Sequence, residues 1–184
     1  DQALNFVAED RGELDLFFHF DGQGLAKLQA HRFTVRSEEV DVGRLLDQAY
    51  GAFAEEARAR EIDYELVSLE NPAVVVSDGD RVLQVISNLL SNAFRWTPDG
   101  GRVALEADVE NGQLLVEVVD TGPGIPPERQ ARIFEPFVSE DADGTGLGLP
   151  IASELARALG GRVEVRPGRG GSRFRFVLPL ERPG

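Results

Sequence analysis

The 184-residue chain has no Cys and no Met, only two His (His19 and His31), two Tyr and a single Trp. Without Cys there is no disulfide, no thiolate zinc site and no Cys nucleophile. Two His leave little from which to build a His-rich metal centre or a Ser-His-Asp triad. No apolar run approaches the roughly 20 residues that span a bilayer, and no basic start followed by an apolar stretch suggests a signal peptide. Basic residues are also scarce: 19 Lys and Arg stand against 32 Asp and Glu, a net charge of −13, and they form no obvious stripe. Binding to nucleic acid phosphates or to an anionic lipid surface is therefore disfavoured. The expectation is a soluble segment that touches neither nucleic acid nor membrane. A chain that opens on Asp1 and lacks Met is expected to be a piece of a longer protein. The tools left for chemistry are carboxylates, amides, glycines and a bound cofactor.

What is present suffices for a real core, since 42% of the residues are hydrophobic. Leu4, Val7, Leu14, Phe18, Leu25 and Leu28 fill six of eight positions of a 3-4 alternation that also holds Arg11 and Asp21. That is a heptad seam, and it predicts a helix that pairs with another helix or lies along its own domain. Val40 to about Arg60 repeats apolar residues at Val42, Leu45, Leu46, Ala49, Phe53 and Ala57, with Asp41 as N-cap. Tyr64–Leu69 and Ala73–Val76 read as strands on either side of a turn at Asn71-Pro72. Asp78–Arg95 has helical period, with Val82, Val85, Ile86, Leu89, Leu90 and Ala93 on one face, and Pro98-Asp99-Gly100-Gly101 stops it. Arg102–Val109 and Gln113–Asp120 alternate and meet at Asn111-Gly112, a strong hairpin signal. A short helix at Pro127–Phe134, a helix from about Leu149 to Leu159, and a closing hairpin of Arg162–Arg166 with Ser172–Leu178 complete the chain. Strands pairing with neighbours and helices between them predict an α+β two-layer sandwich.

Several residues could carry chemistry. Asn88 and Asn92 project one turn apart from a single helix face. Asn is a poor helix former, and two amides at this spacing suit a common partner such as the hard cation Mg²⁺, which takes neutral oxygen ligands alongside phosphates. Two Asn on a helix surface are equally an ordinary occurrence. Arg95 and Trp96 offer a phosphate-pairing guanidinium and a flat ring, or else a surface charge and a core aromatic. Asp120-Thr121-Gly122-Pro123-Gly124-Ile125 follows an apolar strand, where Asp120 could cap the turn or accept a hydrogen bond from an amine such as that of adenine. Gly144-Thr145-Gly146-Leu147-Gly148-Leu149 precedes a helix, placing backbone N–H groups where anions are favoured. It is neither the Gly-x-x-x-x-Gly-Lys-Ser/Thr loop nor the Gly-x-Gly-x-x-Gly fingerprint.

The ordered set Asn88–Asn92, Asp120–Ile125, Phe134–Phe137, Gly144–Leu149 and Gly170-Gly171-Ser172 resembles the N, G1, F, G2 and G3 boxes of the catalytic ATP-binding domain of bacterial sensor histidine kinases. Asp80-Arg81 and Gln84 ahead of Asn88-Leu89-Leu90-Ser91-Asn92-Ala93 look like that family's approach to its N box. The likeness runs from about Asp41 to Leu180. It implies the Bergerat-type α/β sandwich, with ATP held between helices under a lid. Asn92 would be the principal Mg²⁺ ligand and Asn88 would support metal and phosphates. Arg95 would contact phosphate where relatives often have Lys, and Trp96 would pack on adenine where they often have Tyr. Asp120 would accept from the adenine amine, Gly122 and Gly124 would let backbone pass close to the base, and Ile125 would line its pocket. Gly144, Gly146 and Gly148 would surround the triphosphate, with Phe137, Thr145, Leu147 and Leu149 among the nucleotide-contacting positions. Ser172 would help fix the base through water. The implied reaction moves the γ-phosphoryl group of ATP to a neutral imidazole nitrogen, catalysed by positioning and electrostatics.

The same resemblance divides the chain into residues 1–35, a remnant of the second helix of a dimerisation and phosphotransfer hairpin with its linker, and residues 36–184, the catalytic domain. It implies a cytoplasmic segment of a homodimeric protein that can be anchored in the inner membrane and that serves a response regulator. The receiving His of the family is followed by an acidic residue; His19 precedes Phe20 and His31 precedes Arg32, so the acceptor is expected ahead of Asp1. The lid also departs from its relatives. Val138-Ser139-Glu140-Asp141-Ala142-Asp143 places three carboxylates where many have Lys or Arg, and like charge beside a triphosphate should weaken binding unless those groups face solvent. A non-catalytic nucleotide-binding signalling module and a serine kinase of the anti-sigma-factor type are the alternative readings.

Overall fold

The computed structural model of the chain describes residues 35–136, 146–166 and 170–181. The heptad segment with His19 and His31, the acidic loop 138–143, and Phe137, Gly144 and Thr145 lie outside the described residues.

Strand β1 (Glu38–Asp41) leads into helix α1 (Val42–Ala59). The Asp41 carboxylate caps that helix, accepting from Arg44 N at 3.0 Å. Val40, which the apolar repeat assigns to the helix, lies in β1 instead, opposite Val75 of β3 (Val74–Ser77). Strand β2 (Asp63–Val67) precedes β3 but does not pair with it. The turn at Asn71-Pro72 therefore separates two sheets rather than two neighbours. β3 joins β1 antiparallel, and β2 joins β4 (Arg102–Glu110) in parallel, Tyr64 opposite Val103. A parallel pair needs a long crossover, and helix α2 (Gly79–Trp96) supplies it. Asp78 caps α2, accepting from Arg81 N at 3.2 Å, and the carboxylate's other oxygen takes Arg36 N at 3.0 Å.

β4 and β5 (Gln113–Asp120) form the hairpin expected at Asn111-Gly112, where both residues have positive φ, 51° and 73°. After β5 comes α3 (Pro127–Gln130), four residues long. It is shorter than the predicted Pro127–Phe134 because the chain leaves the helical path to bury Phe134, whose ring meets Phe174 edge-on at 6.4 Å. Tight turns replace the helix there, with Arg132 N bonded to Arg129 O and Glu135 N to Arg132 O. Helix α4 (Gly148–Ala158), β6 (Arg162–Arg166) and β7 (Ser172–Pro179) complete the chain.

The main sheet runs β2-β4-β5-β7-β6, and every pair but β2-β4 is antiparallel. Alternation aims Val103, Leu105, Leu114, Val116, Val118, Phe174, Phe176 and Leu178 into one core with the apolar faces of α1, α2 and α4. This is the two-layer α+β sandwich that the element order implies. On the opposite face, Arg173 bridges Glu106 and Glu117, and Arg175 Nε bonds Glu117 Oε1 at 2.6 Å. The consequence for function is positional. The ends of β5 and β7 and the C-terminal half of α2 come to one edge of the sandwich.

Candidate functional site

Even-numbered residues of β5 face the helices, so Asp120 follows Val116 and Val118 inward and is only 3% exposed. Its Oδ1 accepts from Gly122 N at 2.8 Å and from Ser172 N at 3.2 Å, and the Ser172 hydroxyl bonds the same carboxyl. Its Oδ2 is buried with no partner among the described residues. Burial raises the Asp120 pKa, against the opposing pull of the Gly122 and Ser172 hydrogen bonds. Of the two roles that the sequence leaves as alternatives, turn capping occupies a single oxygen and leaves the second free for another donor. One caps the turn, and the other is a buried acceptor in search of a donor.

The glycines around this carboxyl are sterically required. A Cβ at Gly122 would stand 2.8 Å from Trp96 O and 2.9 Å from Asp120 Oδ1. At Gly171, with φ +123°, it would stand 1.8 Å from Asp120 O. Ser172 faces Asp120 in register across β5 and β7, and Gly124 brings its loop within reach of Gly171 O. Ile125 is half-buried beside them and packs on the core, while its carbonyl accepts from Gln130 Nε2 at 3.1 Å.

On α2, Asn88 is 7% exposed, and its Nδ2 is buried without a partner among the described residues. It is not the exposed amide of an ordinary helix surface. The two ends of an amide exchange by rotation about one bond, so the side chain can present either an oxygen or an N–H at that place. Asn92 stands one turn on and is half-buried. Among the described residues no cluster of three His, Asp or Glu could hold a metal. An amide oxygen is a ligand that a hard cation accepts and an amide N–H can donate to a phosphate, so the unused polar atom of Asn88 is of a kind that either could engage. At the end of the helix Trp96 is 39% exposed, which removes the core-aromatic reading, and the Arg95 guanidinium lies 5.7 Å from its ring centroid.

The second glycine loop is described from Gly146 onward. Gly146 has φ +64°, and Leu147 stands at the N-cap of α4 with no side-chain cap. Gly148 and Leu149 open the helix, so its first backbone N–H groups meet no capping side chain. The structure brings Asp120, Gly122, Gly124, Ile125, Trp96 and Ser172 to one corner. Asn88 and Asn92 line α2 behind it, and Gly146–Leu149 begin the helix that packs on α2. Arg60, which contacts the end of α2, carried no sequence signal, because its partners lie far along the chain.

Residues 77–182 match the family model described as histidine kinase-, DNA gyrase B-, and HSP90-like ATPase. The alginate biosynthesis sensor protein KinB of Pseudomonas aeruginosa is 38% identical over 97% of this chain, which spans 32% of KinB. The solved catalytic domain of the histidine kinase ThkA superposes with a TM-score of 0.75 at 30% identity, covering 79% of this chain and 97% of that domain. Full-length ShkA in complex with AMPPNP gives 0.76 at 35% identity, covering 84% of this chain and 33% of ShkA. ThkA bound to the response regulator TrrA gives 0.71 at 25% identity, covering 86% and 49%.

Proposed function

The chain belongs to the histidine kinase-, DNA gyrase B-, and HSP90-like ATPases, and from that membership we propose that it is the ATP-binding catalytic domain of a sensor histidine kinase, passing the γ-phosphoryl group of ATP to an imidazole on a dimerisation and phosphotransfer domain. The observation that carries this reading is the Asp120 carboxyl, with one oxygen spent on backbone and the other buried and unused. The exocyclic amine of adenine is a donor of the right kind for that oxygen. The crowding of Gly122 and Gly171 against Trp96 and Asp120 leaves backbone, not side chains, to shape the base pocket.

In this reading Trp96 is the platform for the base, Ile125 lines its pocket, and Gly124 lets the loop pass close. Ser172 holds Asp120 through its N–H and hydroxyl and so orients the acceptor. Asn92 is the principal Mg²⁺ ligand, with Asn88 supporting metal and phosphates from one turn earlier. Bound there, the cation would offset the negative charge of the phosphates. Arg95 pairs with phosphate oxygens. The uncapped N–H groups after Gly146 and Leu147, with Gly148 and Leu149, face the triphosphate. Phe137, Gly144 and Thr145 complete the nucleotide contacts on the strength of the sequence resemblance alone. Positioning and electrostatics carry the transfer, since no residue of the site need form a covalent bond.

We place the domain boundary at residues 35 and 36, supported by the bond from Arg36 N to Asp78, which ties the incoming chain to the cap of α2. The full-length protein would be a homodimer, and it would serve a response regulator, the latter supported by the likeness to ThkA solved in complex with the response regulator TrrA. No described helix is long and apolar enough to cross a membrane. Two experiments test the proposal. ATP with Mg²⁺ should raise the melting temperature of this chain, and no shift at millimolar nucleotide would refute it. With an upstream phosphotransfer segment added, the product should be an acid-labile, base-stable phosphate, whereas an acid-stable ester would point to serine chemistry.

A further inference from the structure

The C-terminal turn of α2 is held from outside the helix. Arg60, which closes α1, sends its guanidinium to that turn, Nη1 donating to Phe94 O at 2.7 Å and Nη2 to Thr97 O at 2.6 Å. Nε donates to Asp99 Oδ1 at 2.8 Å, and Nη1 also reaches Glu56 Oε1 at 3.1 Å. The Arg60 carbonyl in turn accepts from Gly100 N at 3.0 Å. The last carbonyls of a helix have no partner within it, and a rigid guanidinium fork takes two at a fixed spacing, which an ammonium does not. The carboxylate contacts are partly exposed and worth little by themselves. The carbonyl contacts fix geometry.

Between Phe94 O and Thr97 O stand Arg95 and Trp96. The Trp96 carbonyl is the atom that a Cβ on Gly122 would strike at 2.8 Å, and the same Cβ would strike Asp120 Oδ1 at 2.9 Å. The turn that Arg60 clamps is thus packed against the Asp120 corner with no spare room. We propose that Arg60 is a positioning residue for the base-binding end of the nucleotide site, fixing the Phe94–Thr97 turn so that the Trp96 ring and the Asp120 carboxyl keep a set separation. This rests on the reading of Asp120 and Trp96 as base-contacting residues.

The test compares parent, Arg60→Met, Arg60→Lys and Asp120→Asn, each titrated calorimetrically with ATP and with inorganic tripolyphosphate, both in Mg²⁺. Arg60→Met keeps the stem and removes the fork. It should weaken ATP about tenfold, the size of one lost well-made contact, and tripolyphosphate, which meets this turn only through Arg95, clearly less, by no more than about threefold. Arg60→Lys keeps charge and packing, so it remains a test if Arg60→Met does not fold, and it should weaken ATP to a lesser degree with the same ligand split. Trp96, the chain's single Trp, should change its emission in both Arg60 variants before ligand is added. Loss of both ligands in proportion would reduce Arg60 to a merely structural role and overturn the inference. So would ATP affinity and Trp96 emission equal to the parent's. A parent that binds no ATP, or an Asp120→Asn variant that binds as well as the parent, would instead refute the reading of the site.

Discussion

Replacing Asp120 by Asn separates what the site does for the fold from what it does for a nucleotide. An Asn oxygen at the place of Oδ1 keeps the bonds from Gly122 N at 2.8 Å and Ser172 N at 3.2 Å, so the turn stays capped. The amide nitrogen then takes the place of Oδ2 and presents a donor to the adenine donor. Losing a buried hydrogen bond to a charged acceptor costs about 1.5–3 kcal/mol, roughly a 10- to 150-fold rise in Kd. The stability effect has the opposite sign. Burial holds the Asp120 pKa above its usual value of 3.8, so between the unfolded and folded pKa values the native state binds more protons than the unfolded state. Stability therefore falls as pH rises through that window, and above it the buried carboxylate remains a standing cost that the neutral amide removes. Asp120→Asn should then melt at the parent temperature or slightly above it without ligand at neutral pH. With ATP at about 100 times the parental Kd, the parent gains about 2.7 kcal/mol, or roughly 5–10 °C. A variant weakened about 30-fold gains about 0.9 kcal/mol, or roughly 2–3 °C. Thermal melts of both proteins at matched ATP read the difference. An equal ligand shift in the two would refute the reasoning, as would a ligand-free variant that melts several degrees lower.

The Tyr64 hydroxyl is buried and without a hydrogen-bond partner among the described residues, and burial raises its pKa above the usual 10.0. Tyr64→Phe should stabilise by about 1 kcal/mol, seen as a melting temperature up by roughly 2–4 °C. Because the raised pKa makes folding weaken as pH climbs above 10.0, the variant should also lose less stability in alkaline melts. Gly51, inside α1 with open space where a Cβ would go, should accept Ala with a gain of up to about 1 kcal/mol. Gly171→Ala, which would drive a Cβ to 1.8 Å from Asp120 O, should unfold the chain at a temperature several degrees lower, read by the same melts. Asn92→Ala should leave Mg²⁺-free ATP binding nearly unchanged and abolish most of the gain in affinity that Mg²⁺ brings, measured by calorimetry with and without the cation.

Where local chemistry decides the structure, the sequence is informative. Asp78 and Pro98-Asp99-Gly100 bound α2, Asp41 caps α1, and Asn111-Gly112 turns the hairpin, each through a preference that operates within a few residues. The candidate site residues stand out in the sequence for a different reason, since amides and glycines at fixed spacing interrupt the apolar pattern. Strand β1 is not legible, because Glu38-Glu39-Val40-Asp41 offers a single apolar residue and no alternation. The parallel pairing of β2 with β4 depends on where α2 returns the chain, which no local signal encodes. Helix α3 ends early for the sake of a tertiary contact between Phe134 and Phe174. Arg60 reads as an ordinary surface charge, and its grip on Phe94 O and Thr97 O exists only once α1 and α2 are packed.

Trp96 tests the central claim most directly, because it is the single Trp and stands 39% exposed at the end of α2, where the base is proposed to stack. Titrating the chain with ATP in Mg²⁺ should change its emission along a saturable one-site curve, matched in size by ADP, which carries the same base, and larger than any change with inorganic tripolyphosphate, which reaches the ring only through Arg95. An emission unmoved by millimolar ATP, or moved equally by tripolyphosphate, would contradict a nucleotide base held between Trp96 and Asp120.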